Sequence, residues 1–269
     1  LPNAKNAQAD TYRNILLVGE TGAGKTMQIT TLPGRKFVYI FDPNSLATLK
    51  GFDVEYEKFL PDKLEIDASI KGFNKGARPD DKSPASKIEP TCYVRWVQDM
   101  HDKNESGFFN DYDWVCFDSM TFLQKACMDR CLYINNRYGK LEDLSDYRIV
   151  GLKLASVFRG IYAADINIFC TGHINSFQDE KTKKIMVMLN LHGQARSLIP
   201  LGCSDVFECF RGDTDKGKRF LIRTMPDTRG LKCIRTTIRN LKEIEDVTIE
   251  RMSEPEKYGI GKLINLTTT

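Results

Sequence analysis

The sequence lacks most of the features that would place it outside an ordinary folded interior. No apolar stretch among its 269 residues approaches the roughly 20 needed to cross a bilayer, which excludes a spanning helix of the usual kind and predicts no membrane partner. Leu1 to Asp10 is polar and lacks the apolar run of a secretory signal. The first residue is Leu1, so further residues are expected upstream. There is no C-x-x-C pair among the eight cysteines, and His101, His173 and His192 do not stand at ligand spacing from them. That excludes the common zinc frameworks and argues against a disulfide scaffold. Cys116 and Cys170 fall inside apolar runs, and Cys127 and Cys131 are four apart on a helical pattern. Reduced thiols in a cytoplasmic protein are the simplest account. No guanine-specific N-K-x-D motif occurs, and no internal repeat stands out.

What is present is an ordinary globular balance of 41% hydrophobic and 28% charged residues, enough for a proper core. The net charge of +3 does not by itself point to nucleic acid. Its distribution is uneven: residues 211–242 hold ten Lys or Arg against three acids. Such a run reads equally as a solvated face or as a surface for a polyanion.

The pattern of elements is α/β. Asn14 to Val18 is an apolar strand entering a glycine turn, residues 25–32 suit a helix, and Lys36 to Phe41 is a second strand closed by Asp42-Pro43-Asn44. Residues 61–90, rich in Lys, Asp, Pro and Ser, are expected as a flexible insertion. A helical pattern resumes from Tyr93 to His101, Asp113 to Asp118 is a third strand, Met120–Tyr138 and Tyr147–Ala164 are helical, and Ile166–Thr171 is a fourth strand. Residues 184–192, 204–210, 219–225 and 231–238 read as further strands, with a tight turn over Gly212 to Gly217, and a helix or loose tail is expected after Glu243. The alternation through residue 171 predicts a mostly parallel central sheet flanked by helices, with antiparallel strands toward the C-terminus. The expected division is a tail over 1–11, a core over 12–240 and an extension over 241–269.

Gly19-Glu20-Thr21-Gly22-Ala23-Gly24-Lys25-Thr26 fits G-x-x-x-x-G-K-T. The glycines let backbone N–H groups wrap an anion, and the helix beginning at Lys25 directs its positive dipole end at it. In that pattern Lys25 reaches the β- and γ-phosphates and the Thr26 hydroxyl coordinates Mg2+. An apolar strand before and a helix after supply the required context. Asp118, at the tip of its strand, suits the second Mg2+ position, and Asp118-Ser119 also suits a helix cap. Thr171 and His173 follow the fourth strand, where a polar group meets a ligand at the carboxyl edge of a parallel sheet.

The order of these segments, with Asp118-Ser119-Met120-Thr121, Asp146-Tyr147 and Thr171-Gly172-His173, resembles the RecA-type ATP-binding proteins of bacteriophages, the AAA-domain family that includes phage single-strand annealing proteins. The resemblance covers roughly residues 12–240. It implies a RecA-like P-loop core that binds ATP with Mg2+, works on single-stranded DNA in annealing, recombination or replication, and assembles into a homo-oligomeric ring or filament in the host cytoplasm. It also implies ATP at a subunit boundary, with Arg229, Lys232 and Arg235 touching a neighbour's phosphates. One departure stands out. RecA-type ATPases carry a glutamate just after the second strand to polarise water, and here that position reads as Asn44, which cannot accept a proton. Glu20, inside the loop, and Asp42 are the candidate substitutes, with Glu20 the more interesting. If neither serves, ATP acts as an assembly switch. The loop Ile174-Asn175-Ser176-Phe177-Gln178, followed by Lys181, Lys183 and Lys184, is a candidate path for single strands. Three activities stay open: a DNA-dependent ATPase, a weakly hydrolysing module that recruits other replication proteins, and, least supported, a small-molecule phosphotransferase.

Overall fold

The computed structural model describes residues 12–74, 88–178, 180, 183, 185–227 and 230–265. Five strands run parallel in one sheet: β1 (Asn14–Gly19), β2 (Lys36–Ile40) and β4 (Trp114–Asp118) are buried nearly throughout, and β5 (Asn167–Gln178) and β7 (Asp205–Thr214) over their first halves. A short exposed strand, β3 (Glu55–Lys58), closes one edge. The order is β3-β2-β4-β5-β1-β7-β8-β9, with β8 (Gly217–Arg223) and β9 (Ile244–Asp246) antiparallel at the other edge and β6 (Ile185–Leu189) paired to the outer half of β5. The phosphate-loop strand β1 lies between β5 and β7, and the Asp118 strand lies one strand further on. This is the RecA-like order. Parallel pairing lines up the carboxyl ends: Gly19 stands beside both His173 and Cys209, and Ile40 beside Asp118.

Alternate residues of β1 feed two cores. Leu16 and Val18 join Trp96, Phe117, Leu154 and Phe158 on the face covered by α4 (Cys92–Glu105), α5 (Met120–Ile134), α6 (Leu144–Ile161) and α7 (Ala195–Leu201). Ile15 and Leu17 join Ile29, Leu49, Ile260 and Leu263 on the face covered by α1 (Lys25–Ile29), α2 (Ser45–Leu49) and α8 (Gly259–Asn265). Period-two alternation in a sheet covered on both sides requires this division. Asp146, singled out as leading a helix, completes a capping box with Asp143 at the start of α6 and holds Arg137 while fully buried. Its role is structural. The described cysteines are all free thiols, and those at 116, 127, 131 and 170 are buried as expected.

Three segments depart from the sequence expectation, and at the C-terminus the helix alternative is the one realised, as α8. Within 61–90, Lys63–Asn74 forms a helix, α3. Asp62 accepts from the Glu65 amide at its start, and buried Glu65 accepts from both the amide and the hydroxyl of Thr91. Residues 75–87 lie outside the described residues. The span 231–238 is not a strand. Pairing of β8 to 208–214 leaves only the first residues of that β7 edge open, so the segment gains a single bridge, Val206–Arg235. The turn after β7 is tighter than Gly212 to Gly217: Thr214 pairs directly with Gly217, leaving Asp215 and Lys216 to reverse the chain. The C-terminal segment is no loose tail through residue 265. Gln28 of α1 donates to Val247 O and accepts from Ile260 N–H, and Thr31 Oγ1 accepts from Gly261 N–H.

Candidate nucleotide site

The loop 19–26 leaves β1 at the centre of the carboxyl edge. Its tightness is set by neighbours as well as by the phosphate it is shaped for. A Cβ on Gly19 would stand 2.2 Å from Cys209 O on β7, and Gly24 takes φ of +90° with the Phe220 ring packed 2.8 Å from where a Cβ would lie. Lys25 is buried, and its Nζ donates to Gly19 O at 3.0 Å and Glu20 O at 2.8 Å. Burial pulls this ammonium below its ordinary value, against Cys209, Asp118, Asp42 and Glu20, which favour the charged form. Two neutral carbonyls hold it at the loop, and a phosphate oxygen with a full charge is the stronger acceptor for it.

Asp118 is the second anchor. Its carboxylate, 2% exposed, accepts from Thr26 Oγ1 at 2.9 Å, from Ser45 Oγ at 2.5 Å and from the Thr171 hydroxyl. Burial raises the carboxyl above its usual range, opposed by those three hydroxyls. Thr26 and Asp118 are 92 residues apart in sequence and meet at the helix start. An all-oxygen set on a buried carboxylate with a raised pKa suits a hard cation such as Mg2+, which takes one or two protein ligands and completes its shell from phosphate and water. Among the described residues there is no cluster of three or more His, Cys, Asp or Glu that would hold a metal alone.

A cavity of about 370 Å³ opens over the loop, walled by Thr21, Gly22, Gly24, Lys25 and Thr26, and on its flanks by Asp42, Asn44, Ser45, Asp118 and His173. Thr171 is fully buried and touches Asp118 rather than the cavity, so it positions the carboxylate and His173 is the residue that faces the ligand space. Burial, and then the Lys25 charge, lower the His173 pKa, which leaves the imidazole neutral at pH 7. Glu20 is exposed and lines a neighbouring hollow with Glu208, Arg211 and Arg223, whereas Asp42 stands on the cavity wall. Of the two candidate acids, Asp42 is the one on the cavity wall. Ala23 serves the loop through its carbonyl, which accepts from the Cys209 thiol.

Of the basic residues expected at a neighbour's phosphates, Arg229 lies outside the described residues and Lys232 is exposed. Arg235 is committed within its own chain: its guanidinium donates to the carbonyls of Pro200, Leu201 and Cys203 behind α7. Part of the basic span 211–242 is also compensated. Arg219 pairs with Asp246 and Glu250, and Arg223 with Glu208 and Glu243. Arg211 was not singled out by sequence. It lies over the Phe220 ring at 5.0 Å, approaches Gly22 and lines the cavity. Ser45, Phe220, Thr248, Ile249 and Met252 were missed as well. Only Ser45, three residues after Asp42, carried a local signal.

The sheet order and this loop define a RecA-like P-loop fold. The chain belongs to the AAA domain family, whose model matches residues 11–229. Among solved structures it is similar to a KaiC-like protein from the hyperthermophilic archaeon Pyrococcus horikoshii OT3, at 11% identity over 91% of this chain and 87% of that one, with a TM-score of 0.44. It is also similar to the flagellar accessory protein FlaH from Methanocaldococcus jannaschii, at 12% identity over 88% and 85%, with a TM-score of 0.38. At these values no functional inference passes from either. No curated protein matches the sequence. Among the described residues no helix is long and apolar enough to cross a membrane.

Proposed function

We propose that the chain binds Mg·ATP in the cavity over residues 19–26 and hydrolyses it to drive or switch its own assembly on single-stranded DNA, in annealing, recombination or replication. The observation that carries the nucleotide reading is the contact of Thr26 with Asp118 beside a buried Lys25. Loop amides and Lys25 hold the phosphates, Thr26 and Asp118 hold Mg2+, and Ser45 and Thr171 fix the Asp118 carboxylate. The metal, when bound, offsets charge on the phosphate oxygens. His173 faces the terminal phosphate as a neutral hydrogen-bonding group. Asp42 takes the proton from a water whose oxygen forms the new bond to the γ-phosphorus, as the bond to ADP breaks.

The DNA part of the reading is supported by the β5–β6 hairpin, which extends beyond the carboxyl edge with Phe177 and Ile185 well exposed and Lys183 exposed near its tip. An aromatic and a cation there suit base stacking and phosphate contact. Lys232 remains the candidate for contact across a ring or filament boundary. Asn44 favours a second reading, a weakly hydrolysing assembly module that recruits replication proteins. ATP hydrolysis titrated with single-stranded DNA, alongside particle size by light scattering, tests both. Stimulation by DNA that falls steeply with salt supports the first. Tight binding that drives assembly with negligible turnover supports the second, and neither turnover nor assembly overturns both.

A further inference from the structure

The cavity has a second end that the phosphate loop does not explain. Beyond Gly24 and Met27 its wall is Phe220, Thr248, Ile249 and Met252. The last three lie outside the span matched by the family model, which ends at residue 229. Phe220 packs on Gly24, and the Thr26–Asp118 contact marks the metal-holding part of the loop. A triphosphate whose terminal phosphate lies by Asp118 therefore directs its nucleoside toward this apolar wall. Met252 is 55% exposed at the rim, while Ile249 is 9% exposed behind it. A flexible thioether on such a rim suits the face of a planar ring.

Two polar side chains at this end, Thr248 and Gln28, are already engaged, and Arg211 lies over the Phe220 ring. Thr248 Oγ1 accepts from Phe220 N–H at 2.9 Å. The Gln28 amide is held at both ends, its Nε2 on Val247 O and its Oε1 on Ile260 N–H, each at 3.0 Å. The acids on the cavity wall, Asp42 and Asp118, belong to the phosphate and metal side. Strong discrimination between bases requires buried polar groups that the wrong base leaves unpaired, whereas apolar packing separates similar rings only weakly.

We infer that the C-terminal segment 248–252, with Phe220, is the nucleobase-binding wall, and that it holds the base by packing, so that adenine and guanine nucleotides bind with similar affinity. This rests on the nucleotide reading given above. The test is calorimetry of the full chain with Mg·ATP, Mg·GTP and Mg·tripolyphosphate, repeated on Met252→Ala. That residue is exposed and its truncation leaves the core intact.

ATP and GTP are expected to bind within about tenfold of each other, and both more tightly than tripolyphosphate. Met252→Ala is expected to weaken both nucleotides by about fivefold, the cost of losing part of a buried methionine contact, and to leave tripolyphosphate unchanged. Nucleotides no tighter than tripolyphosphate, a preference for ATP above about a hundredfold, or an unchanged nucleotide affinity in Met252→Ala would overturn the packing wall while leaving the phosphate site standing. Failure of all three ligands to bind would overturn the phosphate site itself, and the wall with it.

Discussion

The two ends of the cavity are built by opposite chemistry, and the apolar one draws on residues from late in the chain. The phosphate end is polar and buried: Lys25 and Asp118 lie inside, and each hydroxyl around Asp118 donates to it. The other end is largely apolar and partly open, with Gln28 and Thr248 tied back into the protein. The difference reflects what each end must do. Charge taken out of water has to be matched atom by atom, which fixes residue types and spacing. An apolar wall needs only suitable surface in the right place, and many sequences supply it.

The most direct way to break this comparison is Lys25→Ala. Loss of a charge-assisted contact in a buried site is expected to weaken Mg·ATP and Mg·tripolyphosphate alike by about 100-fold, measured by calorimetry. An effect on ATP alone would erase the distinction between the two ends. Gly261→Ala addresses the support behind both. A Cβ there would lie 1.7 Å from Thr31 O, so α8 must move off α1. The expected cost is about 2 kcal/mol, seen as a melting temperature lower by roughly 4–8 °C.

Asp118→Asn sharpens the polar side. About tenfold weaker Mg2+-dependent binding is expected, with metal-free binding little changed. The same variant reports on linkage. The folded carboxyl titrates above the ordinary 3.8, so the native chain holds this proton more tightly than the unfolded chain. The resulting contribution to stability is fully present below 3.8 and is lost as pH rises through the raised folded value. Asparagine removes that slope, so the melting temperature of the nucleotide-free variant should fall less between pH 4 and 8 than that of the parent. Parallel pH profiles would show that Asp118 does not titrate as its burial implies. The smallest effect is expected for Arg211→Ala. The residue is exposed and stacks on Phe220 beside Gly22, and its loss should weaken ATP by about threefold with no change in melting temperature.

Much of the polar end was legible because its parts are local. Gly24, Lys25 and Thr26 must be contiguous for one loop to present its amides, and Asp118 must end an apolar strand. Which acid stands on the cavity wall was harder to read, because Glu20 lies within the motif itself. Its exposure on the outer side of the loop is visible only once Gly19 is docked against Cys209. The basic run shows a related limit: its charge is evident in sequence, but Asp246, Glu250 and Glu243, the partners of Arg219 and Arg223, arrive from a later strand and loop, and Arg235 turns to backbone carbonyls of its own chain.

By itself, the sequence determined the alternation of strand and helix, the parallel core and the phosphate loop, since burial on two faces and backbone wrapping around an anion each impose a short-range pattern. Tertiary structure alone decided where the last residues of the chain go. Val247, Ile260 and Gly261 dock on Gln28 and Thr31, more than 200 residues earlier, and so carry Thr248, Ile249 and Met252 to the cavity rim. Contacts of that range depend on complementary surfaces meeting in space, and no periodicity along the chain records them.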